Sequence, residues 1–166
     1  MKEIDIKNLS IKAVDLWENQ WLLLTAGNIS DYNMMTVAWG SIGYMWSKPF
    51  AQIVVRPQRH TYRYMEKYDT FTLCAFPPRY HNDLKILGTL SGKDGNKIDK
   101  TSLTIKQSLT VEAPSYNEAN LILECKKIYF QDMNPAGFLD GTIVNNYPKK
   151  DFHRIYFGEI LKALTQ

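Results

Sequence analysis

The stretch FAQIVVRPQRHTY, residues 50–62, marks the end of one strand and the start of a helix. Its first six residues form a nearly continuous apolar run, which is typical of a strand buried on both faces. Pro57 cannot donate a hydrogen bond to a strand ladder, so the strand should end near Arg56. A helical pattern begins near Thr61. The stretch therefore predicts a strand, a short basic loop and a helix.

The basic loop has the composition of an anion site. A helix N-terminus offers unpaired N–H groups and the positive end of the helix dipole. Arg56 and Arg59 add guanidinium groups that match phosphate oxygens, and Thr61 adds a hydroxyl group. The alternative interpretation of this loop is a capped helix with solvated arginines.

A second loop has similar chemistry. The stretch LGTLSGKDGNK, residues 87–97, places Ser91, Gly92, Lys93 and Lys97 where a polar or acidic ligand could approach the backbone. Its spacing does not match a Walker A loop, and the chain contains no GxGxxG fingerprint. Neither a P-loop nor a Rossmann nucleotide site is predicted.

A third stretch carries the features of a site for a flat ligand. NMMTVAWGSIGYMWSKP, residues 33–49, sets methionine and aromatic side chains among small and polar residues. A planar aromatic ligand needs apolar faces with a few polar groups at its edge. The alternative is that these methionines and tryptophans only pack the core.

Composition limits the class of protein. The chain has 166 residues, of which 45% are hydrophobic and 13% aromatic, so we expect a single domain over residues 1–166. A net charge of +3, with charges scattered along the chain, does not indicate a nucleic-acid partner. No stretch resembles a signal peptide or a membrane span, which predicts a cytoplasmic protein with no membrane partner. Cys74 and Cys125 lie in apolar segments and are expected to be buried thiols, and no metal-ligand spacing is present.

The pattern of elements predicts a mainly β fold. Strands are expected in WLLLTAG, MMTVAWGSIGYMW (bent at Gly40 and Gly43), FAQIVV, TFTLCAF, LTIKQSL, ANLILECKKIYFQ and HRIYFGEILKAL. Helices are expected from Thr61 to about Tyr68, in HNDLKILGTLSG with Asn82 or Asp83 as its cap, and near PAGFLDGTIVNNY. Many strands with no regular βαβ rhythm favour a closed antiparallel β-barrel with peripheral helices.

Four motifs taken together carry a family resemblance. NMMTVAWGSIGYMWSKPFAQIVVRPQRHTY, LGTLSGKD, LECKKIYFQD and HRIYFGEI resemble the flavin reductase-like proteins with an FMN-binding split barrel, specifically the flavoredoxin branch. The resemblance covers roughly residues 21–160, and the motifs stand in the family's order. It implies a Greek-key split barrel, a homodimer, and one FMN per subunit near the dimer interface.

The resemblance also implies positions for the cofactor. The isoalloxazine ring would lie along Asn33, Met35, Thr36, Val37, Ala38 and Trp39, with Ser41 and Ser47 as weaker matches. The ribityl phosphate would be surrounded by Arg56, Gln58, Arg59, His60 and Thr61. The loop that follows would contribute Gly88, Thr89, Ser91, Gly92 and Lys97, and His153 would lie near the open face of the flavin. The sequence departs from the family where Asn96, Lys97 and Ile98 stand in place of an Asp-Lys-Phe triplet.

The function implied is that of an FMN-dependent oxidoreductase that accepts electrons from NAD(P)H or a protein donor. The electron acceptor would be free flavin, oxygen or another redox protein. FMN would be either a fixed group that relays electrons or a substrate that leaves in its reduced form. Hydride transfer requires stacked rings rather than an acid or base, so no catalytic side chain is predicted. The alternative is a non-enzymatic module that binds flavin, haem or another planar anion.

Overall fold

Antiparallel strands make up most of the protein. The computed structural model describes residues 1–166. The ten strands are β1 (Lys2–Ile4), β2 (Leu22–Asn28), β3 (Asp31–Val37), β4 (Gly40–Met45), β5 (Lys48–Val55), β6 (Thr70–Ala75), β7 (Ile105–Lys106), β8 (Ser115–Tyr116), β9 (Leu121–Asp132) and β10 (Arg154–Thr165). The mainly β class predicted from the sequence is therefore confirmed.

Eight of these strands form one sheet in the order β3-β2-β6-β9-β10-β5-β4, with β1 added to β10. On one edge, strand β10 pairs with β5 through Arg154–Glu159 and then with β1 through the C-terminal end of β10. On its other edge, β10 pairs with β9 along most of its length. Register shifts after Phe157 and Ile160 allow β10 to bend between these partners. No ladder joins β3 to β4, so the sheet is split between those strands, whereas the strand pattern alone predicts a closed barrel.

Three short helices lie beside the sheet: α1 (Ala13–Asp15), which continues as a turn over Leu16–Gln20, α2 (His60–Lys67) and α3 (His81–Thr89). Helices α2 and α3 lie where the sequence places them. The cap predicted for α3 is wrong, because Tyr80 occupies the N-cap position and no side chain caps the helix.

Two other predictions of secondary structure need correction. Only Ile105–Lys106 is a strand within LTIKQSL, because the following loop turns back on itself. The carboxylate of buried Glu124 holds that loop by accepting the N–H groups of Leu109 and Thr110 at 2.8 and 2.6 Å. The helix expected near residues 135–147 consists of two 3₁₀ turns, Pro135–Gly137 and Ile143–Asn146.

The core has two parts because the sheet is buried on both faces. Along β2, Leu22 and Leu24 enter one cluster and Leu23 enters the other, as expected when successive side chains of a strand point to opposite faces. Helix α2 adds Met65 to the first cluster, and α3 adds Leu87 to the second. Burying each such side chain contributes about 1.5–3 kcal/mol. The packing therefore fixes both helices against the strands that carry the predicted site.

The strand register brings distant parts of the chain together. Val55 at the end of β5 lies opposite Arg154 at the start of β10, so Arg56 and His153 leave the sheet side by side. The chain is interrupted between β3 and β4 at residues 38–39, rather than bent at Gly40 or Gly43 as predicted. Trp39 is thereby placed next to the end of β5.

Both cysteines are free thiols in the interior of the sheet, Cys74 on β6 and Cys125 on β9. Burial raises the pKa of Cys74 to about 12 and holds that of Cys125 well above its ordinary value. Both thiols are therefore protonated at neutral pH. None of the helices has the length and apolar character that crossing a membrane requires.

Candidate functional site

Two adjacent cavities bring together most of the residues predicted for the site. The ring cavity has a volume of about 200 Å³ and is lined by Met35, Thr36, Val37, Ala38, Trp39, Val54, Arg56 and His153. The anion cavity has a volume of about 150 Å³ and is lined by Asn33, Met35, Gln58, Arg59, His60, Thr61, Thr89, Leu90, Ser91, Gly92 and Lys97. Met35 lines both, so the two cavities meet at β3.

Helix α2 begins at the wall of the anion cavity. Arg59 occupies its N-cap position, and no side chain accepts a hydrogen bond from the first turn. The N–H of Tyr62 bonds to the carbonyl of Arg59 at 2.9 Å, while the N–H groups of His60 and Thr61 have no acceptor within the helix. These two groups lie at the positive end of the helix dipole, where an anion is stabilised.

The side chain of Thr61 has a structural role. Its buried hydroxyl accepts a hydrogen bond from Asn33 Nδ2 at 2.8 Å and donates one to the carbonyl of Met34 at 3.1 Å. The hydroxyl predicted to bind phosphate is therefore already used to fasten α2 to β3. Only the backbone N–H of Thr61 remains for a ligand.

Positive charge in the anion cavity comes from Arg59 and Lys97, and no carboxylate lines it. The guanidinium of Arg59 donates to the carbonyl of Gly88, and its pKa is lowered by burial and by Arg56. Lys97 is 4% exposed, and its Nζ donates to the carbonyls of Leu87 at 2.7 Å and Leu90 at 3.2 Å. Burial, with a smaller effect of Arg59, lowers the pKa of Lys97 to about 8. A bound anion would relieve this concentration of charge.

His60 and Gly92 complete the wall of the anion cavity. The buried Nδ1 of His60 has no hydrogen-bond partner, and burial together with nearby cations lowers the pKa of its imidazole. A Cβ atom on Gly92 would lie 2.3 Å from Asn33 Oδ1 and 3.0 Å from the His60 ring. Only glycine therefore lets the loop close on these two side chains.

The ring cavity uses the free edge of β3. This strand pairs with β2 alone, so its other edge carries backbone N–H and C=O groups that no strand satisfies. The hydroxyl of Thr36 is not free, because it donates to the carbonyl of Leu84 at 2.5 Å and holds α3 against β3. Trp39 is 48% exposed and packs against the His153 ring at a centroid distance of 5.3 Å. The cavity thus offers backbone polar groups on one side and aromatic surface on another.

Arg56 lies in the ring cavity and does not line the anion cavity. Its guanidinium donates to Asp151 and to the carbonyl of Asn146, each at 2.8 Å, and stacks over Tyr147 at 5.0 Å. Gln58 also donates to Asp151. Arg56, predicted beside the phosphate, is therefore occupied in holding the segment that leads to His153.

Three predicted residues lie outside both cavities. Ser41, on β4, donates to Gln52 Oε1 at 3.0 Å. Gly88 supports the site from behind, since a Cβ atom there would lie 3.1 Å from Thr36 Cβ. Ser47 occupies the turn between β4 and β5 with a positive φ of 58°.

The residues that sequence reasoning missed are Val54, Leu90, Asn146, Tyr147 and Asp151. Val54 and Leu90 line the cavities, while the other three hold Arg56. Val54 and Leu90 lie inside the quoted stretches 50–62 and 87–97. For Asn146, Tyr147 and Asp151 the only available signal was a position within eight residues of His153 in the chain, which does not by itself indicate contact.

A third cavity, of about 370 Å³, also holds cationic side chains, Arg63 and Lys67, but they share its wall with the carboxylate of Asp31, which pairs with Lys67 at 2.7 Å. A cavity of about 410 Å³ near α3 is lined mainly by polar side chains, including Asp15, Asn19 and His81, and contains no lysine or arginine. No group of three or more His, Cys, Asp or Glu side chains is arranged to hold a metal ion.

Comparison with known proteins is consistent with this geometry. Residues 18–164 match the family model of the flavin reductase like domain, so the chain belongs to that family. An uncharacterised protein of Archaeoglobus fulgidus is 28% identical over 105 residues, which cover 63% of this chain and 59% of that relative.

Solved structures share the fold. The FMN-binding domain of a flavin reductases-like enzyme from Shewanella baltica has a TM-score of 0.70 at 17% identity and covers 98% of this chain and 75% of its own. The flavoredoxin of Desulfovibrio vulgaris has a TM-score of 0.70 at 18% identity, covering 98% and 77% of the two chains. The predicted family and the split-barrel fold are confirmed.

Proposed function

We propose that the protein is an FMN-binding oxidoreductase that acts as a single domain. The observation that carries this proposal is the junction of two unlike cavities at Met35, one with free backbone groups and aromatic surface, the other with cations and no carboxylate. FMN has the matching division into a planar ring and a phosphate. When bound, the flavin supplies reversible two-electron and one-electron chemistry.

The residues of this chain would bind and orient the cofactor. The N–H groups of His60 and Thr61, with Arg59 and Lys97, would hold the phosphate. The free edge of β3 would hydrogen-bond the polar edge of the ring, and Trp39 would cover part of its surface. Unused donors at the start of α2 and the unpartnered Nδ1 of His60 support this fit.

The electron donor in this proposal is NAD(P)H or a reduced partner protein, and the acceptor is free flavin, oxygen or a redox protein. A nicotinamide would bind against the flavin through the ring cavity, which remains open at the half-exposed Trp39. The two free thiols fit a reducing cytoplasm.

A homodimer is also part of the proposal. Tyr44, Trp46 and Tyr129 are exposed large aromatic side chains, and Trp46 and Tyr129 pack with Phe157 on the surface formed by β4, β5, β9 and β10. Aromatic residues are enriched in the cores of protein interfaces. Light scattering of the purified protein, compared with a Trp46→Glu variant, tests for dissociation into monomers.

The function is tested by visible absorption spectra of the purified protein, alone, with FMN, and then with NADH or NADPH without oxygen. Flavin bands that change on binding and bleach with NAD(P)H would support a nicotinamide-dependent flavoenzyme. Bands that bleach only with dithionite would support a relay with a protein donor. Failure to bind any flavin would contradict the proposal.

A further inference from the structure

A buried pair of side chains, Tyr147 and His153, lies beside the ring cavity and has no part in holding the phosphate. His153 lines the cavity and is 8% exposed. Burial, and then the charge of Arg56, lowers the pKa of its imidazole to about 4. At neutral pH the ring therefore carries one N–H and one lone pair, and its function depends on which nitrogen holds the proton.

The hydroxyl of Tyr147 has two neighbours. It lies 2.8 Å from His153 Nδ1 and 3.3 Å from Met133 Sδ. A thioether sulfur can only accept a hydrogen bond, whereas Nδ1 can donate or accept. Both contacts are hydrogen bonds only when the hydroxyl donates to Met133 and Nδ1–H donates to the tyrosine oxygen. If the hydroxyl instead donates to Nδ1, it has no proton left for Met133, and only one of the two contacts is a hydrogen bond.

The surroundings hold Tyr147 in this geometry. Its side chain is 4% exposed, the Arg56 guanidinium stacks on it at 5.0 Å, and the rings of Phe152 and Phe138 pack at 5.0 and 5.9 Å. The hydroxyl cannot leave His153 without disturbing these contacts.

The other imidazole nitrogen, Nε2, has no hydrogen-bond partner in the protein. It is not fully buried, so a ligand can reach it. We propose that Tyr147 is a positioning residue that fixes His153 in the Nδ1–H form, so that the lone pair of Nε2 accepts a hydrogen bond from an amide-type N–H of a planar ligand. The tautomer is a property of the protein alone, while the ligand contact rests on the proposed function.

Two planar molecules could supply this donor. The flavin ring carries an imide N–H, and a nicotinamide carries a carboxamide N–H. A carboxylate at the same position would instead face a lone pair, so the arrangement selects an amide over an acid. Adding each molecule in turn distinguishes the two donors, because only the true donor changes the nitrogen NMR signal of Nε2.

The tautomer is measured by nitrogen NMR on protein labelled with ¹⁵N-histidine, since protonated and unprotonated ring nitrogens resonate in well-separated regions. The chain has only three histidines, so a His153→Gln variant assigns the signals. We expect Nδ1 protonated and Nε2 unprotonated in the ligand-free wild type. A wild-type ring protonated at Nε2 would overturn the proposal whatever the variants do.

Variants test the cause of that preference. Met133→Leu removes the sulfur acceptor while keeping the side-chain size, so the tyrosine proton should turn to Nδ1 and the ring proton should move to Nε2. In Tyr147→Phe the His153 ring should no longer favour the proton on Nδ1. Tyr129→Phe is the control, because the Tyr129 hydroxyl bonds to Gln131 and should leave the His153 signals unchanged. Unchanged signals in both test variants would refute the positioning role of Tyr147.

Ligand addition tests the acceptor. A shift of the Nε2 signal with riboflavin identifies the flavin imide, and a shift that appears only when NAD⁺ is added identifies the carboxamide. No shift with either refutes the acceptor role. In the carboxamide case, NAD⁺ should bind about fivefold more tightly than its nicotinic acid analogue, and Met133→Leu should reduce that ratio. Absence of flavin binding in the absorption spectrum would overturn the proposed function but would leave the tautomer measured in the free protein intact.

Discussion

The anion cavity and the ring cavity share β3 but are built in different ways. The anion cavity takes most of its wall from two short continuous stretches, residues 58–61 and 89–92. The ring cavity joins the end of β3 to the end of β5 and the start of β10, which are far apart in the chain. A cavity made from continuous motifs has charges fixed by local structure, whereas one made from strand ends depends on the register of the whole sheet.

This difference predicts that phosphate binding and ring binding can be changed separately. FMN and riboflavin share the ring but only FMN carries the phosphate. The ratio of their dissociation constants therefore reports on the anion cavity, and their common change reports on the ring cavity.

The largest effect is expected from Arg59→Ala. A charge-assisted hydrogen bond contributes about 1.5–3 kcal/mol, so FMN affinity should fall by about tenfold or more while riboflavin affinity changes little. Isothermal titration calorimetry with both flavins measures the two constants. Arg63→Ala is the matched control, because Arg63 lies on the same helix but does not line the anion cavity. An equal loss for both flavins would place the phosphate elsewhere.

The sequence predicts the anion cavity better than the ring cavity, for a physical reason. Arg59 and His60 lie on one strand-to-helix junction and Gly92 lies on one glycine loop, and each of these two features is specified by local chain preferences. Arg56 stands three residues before Arg59, yet its partner is Asp151, 95 positions further along the chain. Pairing over that distance depends on the β5–β10 register, which a single sequence does not reveal.

The same difference between local and long-range features applies to the fold. The long strands and the helix after Pro57 follow from apolar patterning and the loss of a backbone donor. The split between β3 and β4 could not be predicted from that pattern, because the order of the strands depends on pairing between distant parts of the chain, such as that of β10 with both β5 and β1. Thr61 shows the same limit within the site, since its hydroxyl is used by Asn33 and Met34 from another strand.

The second prediction tests how tightly the anion cavity is closed. In Gly92→Ala the new methyl group would clash with Asn33 Oδ1, which cannot move away freely because the same amide is bonded to Thr61. The loop should be displaced, and FMN affinity should fall by about tenfold, the effect of roughly one lost charge-assisted bond. Calorimetry with both flavins again separates the cavities. Gly137→Ala is the control, since a methyl group there meets nothing within 4 Å.

The third prediction concerns the ring cavity. Trp39→Ala removes aromatic surface, and contacts of this type contribute about 0.5–1.5 kcal/mol. FMN and riboflavin affinities should both fall by a few-fold, with their ratio unchanged. Fluorescence titration of each flavin measures the change, and Trp39→Phe should recover part of it. A change in FMN affinity alone would contradict the assignment of this cavity to the ring.

The smallest expected effect is the pH dependence of the FMN-to-riboflavin ratio. Lys97 has a pKa of about 8 in the free protein because burial and Arg59 disfavour its charged form. Above about pH 8 it loses its proton, so one positive charge leaves the anion cavity while the phosphate stays doubly negative. FMN affinity should therefore decline by a few-fold between about pH 7.5 and 9.5, whereas riboflavin affinity should stay flat.

On the low-pH side, FMN affinity should fall only slightly. As the pH falls towards about 6, the phosphate begins to gain a proton and loses attraction for the cavity. His60 has a pKa below its ordinary value, but its protonation at lower pH would add a positive charge and oppose that loss. Lys97→Met should abolish the decline at high pH and leave the shallow decline at low pH, since Lys97 is a residue of the anion cavity whose pKa lies in that upper range. If the decline at high pH persists in this variant, or if riboflavin affinity declines as well, another group causes it. The charge of Lys97 would then not contribute to the difference between the two cavities.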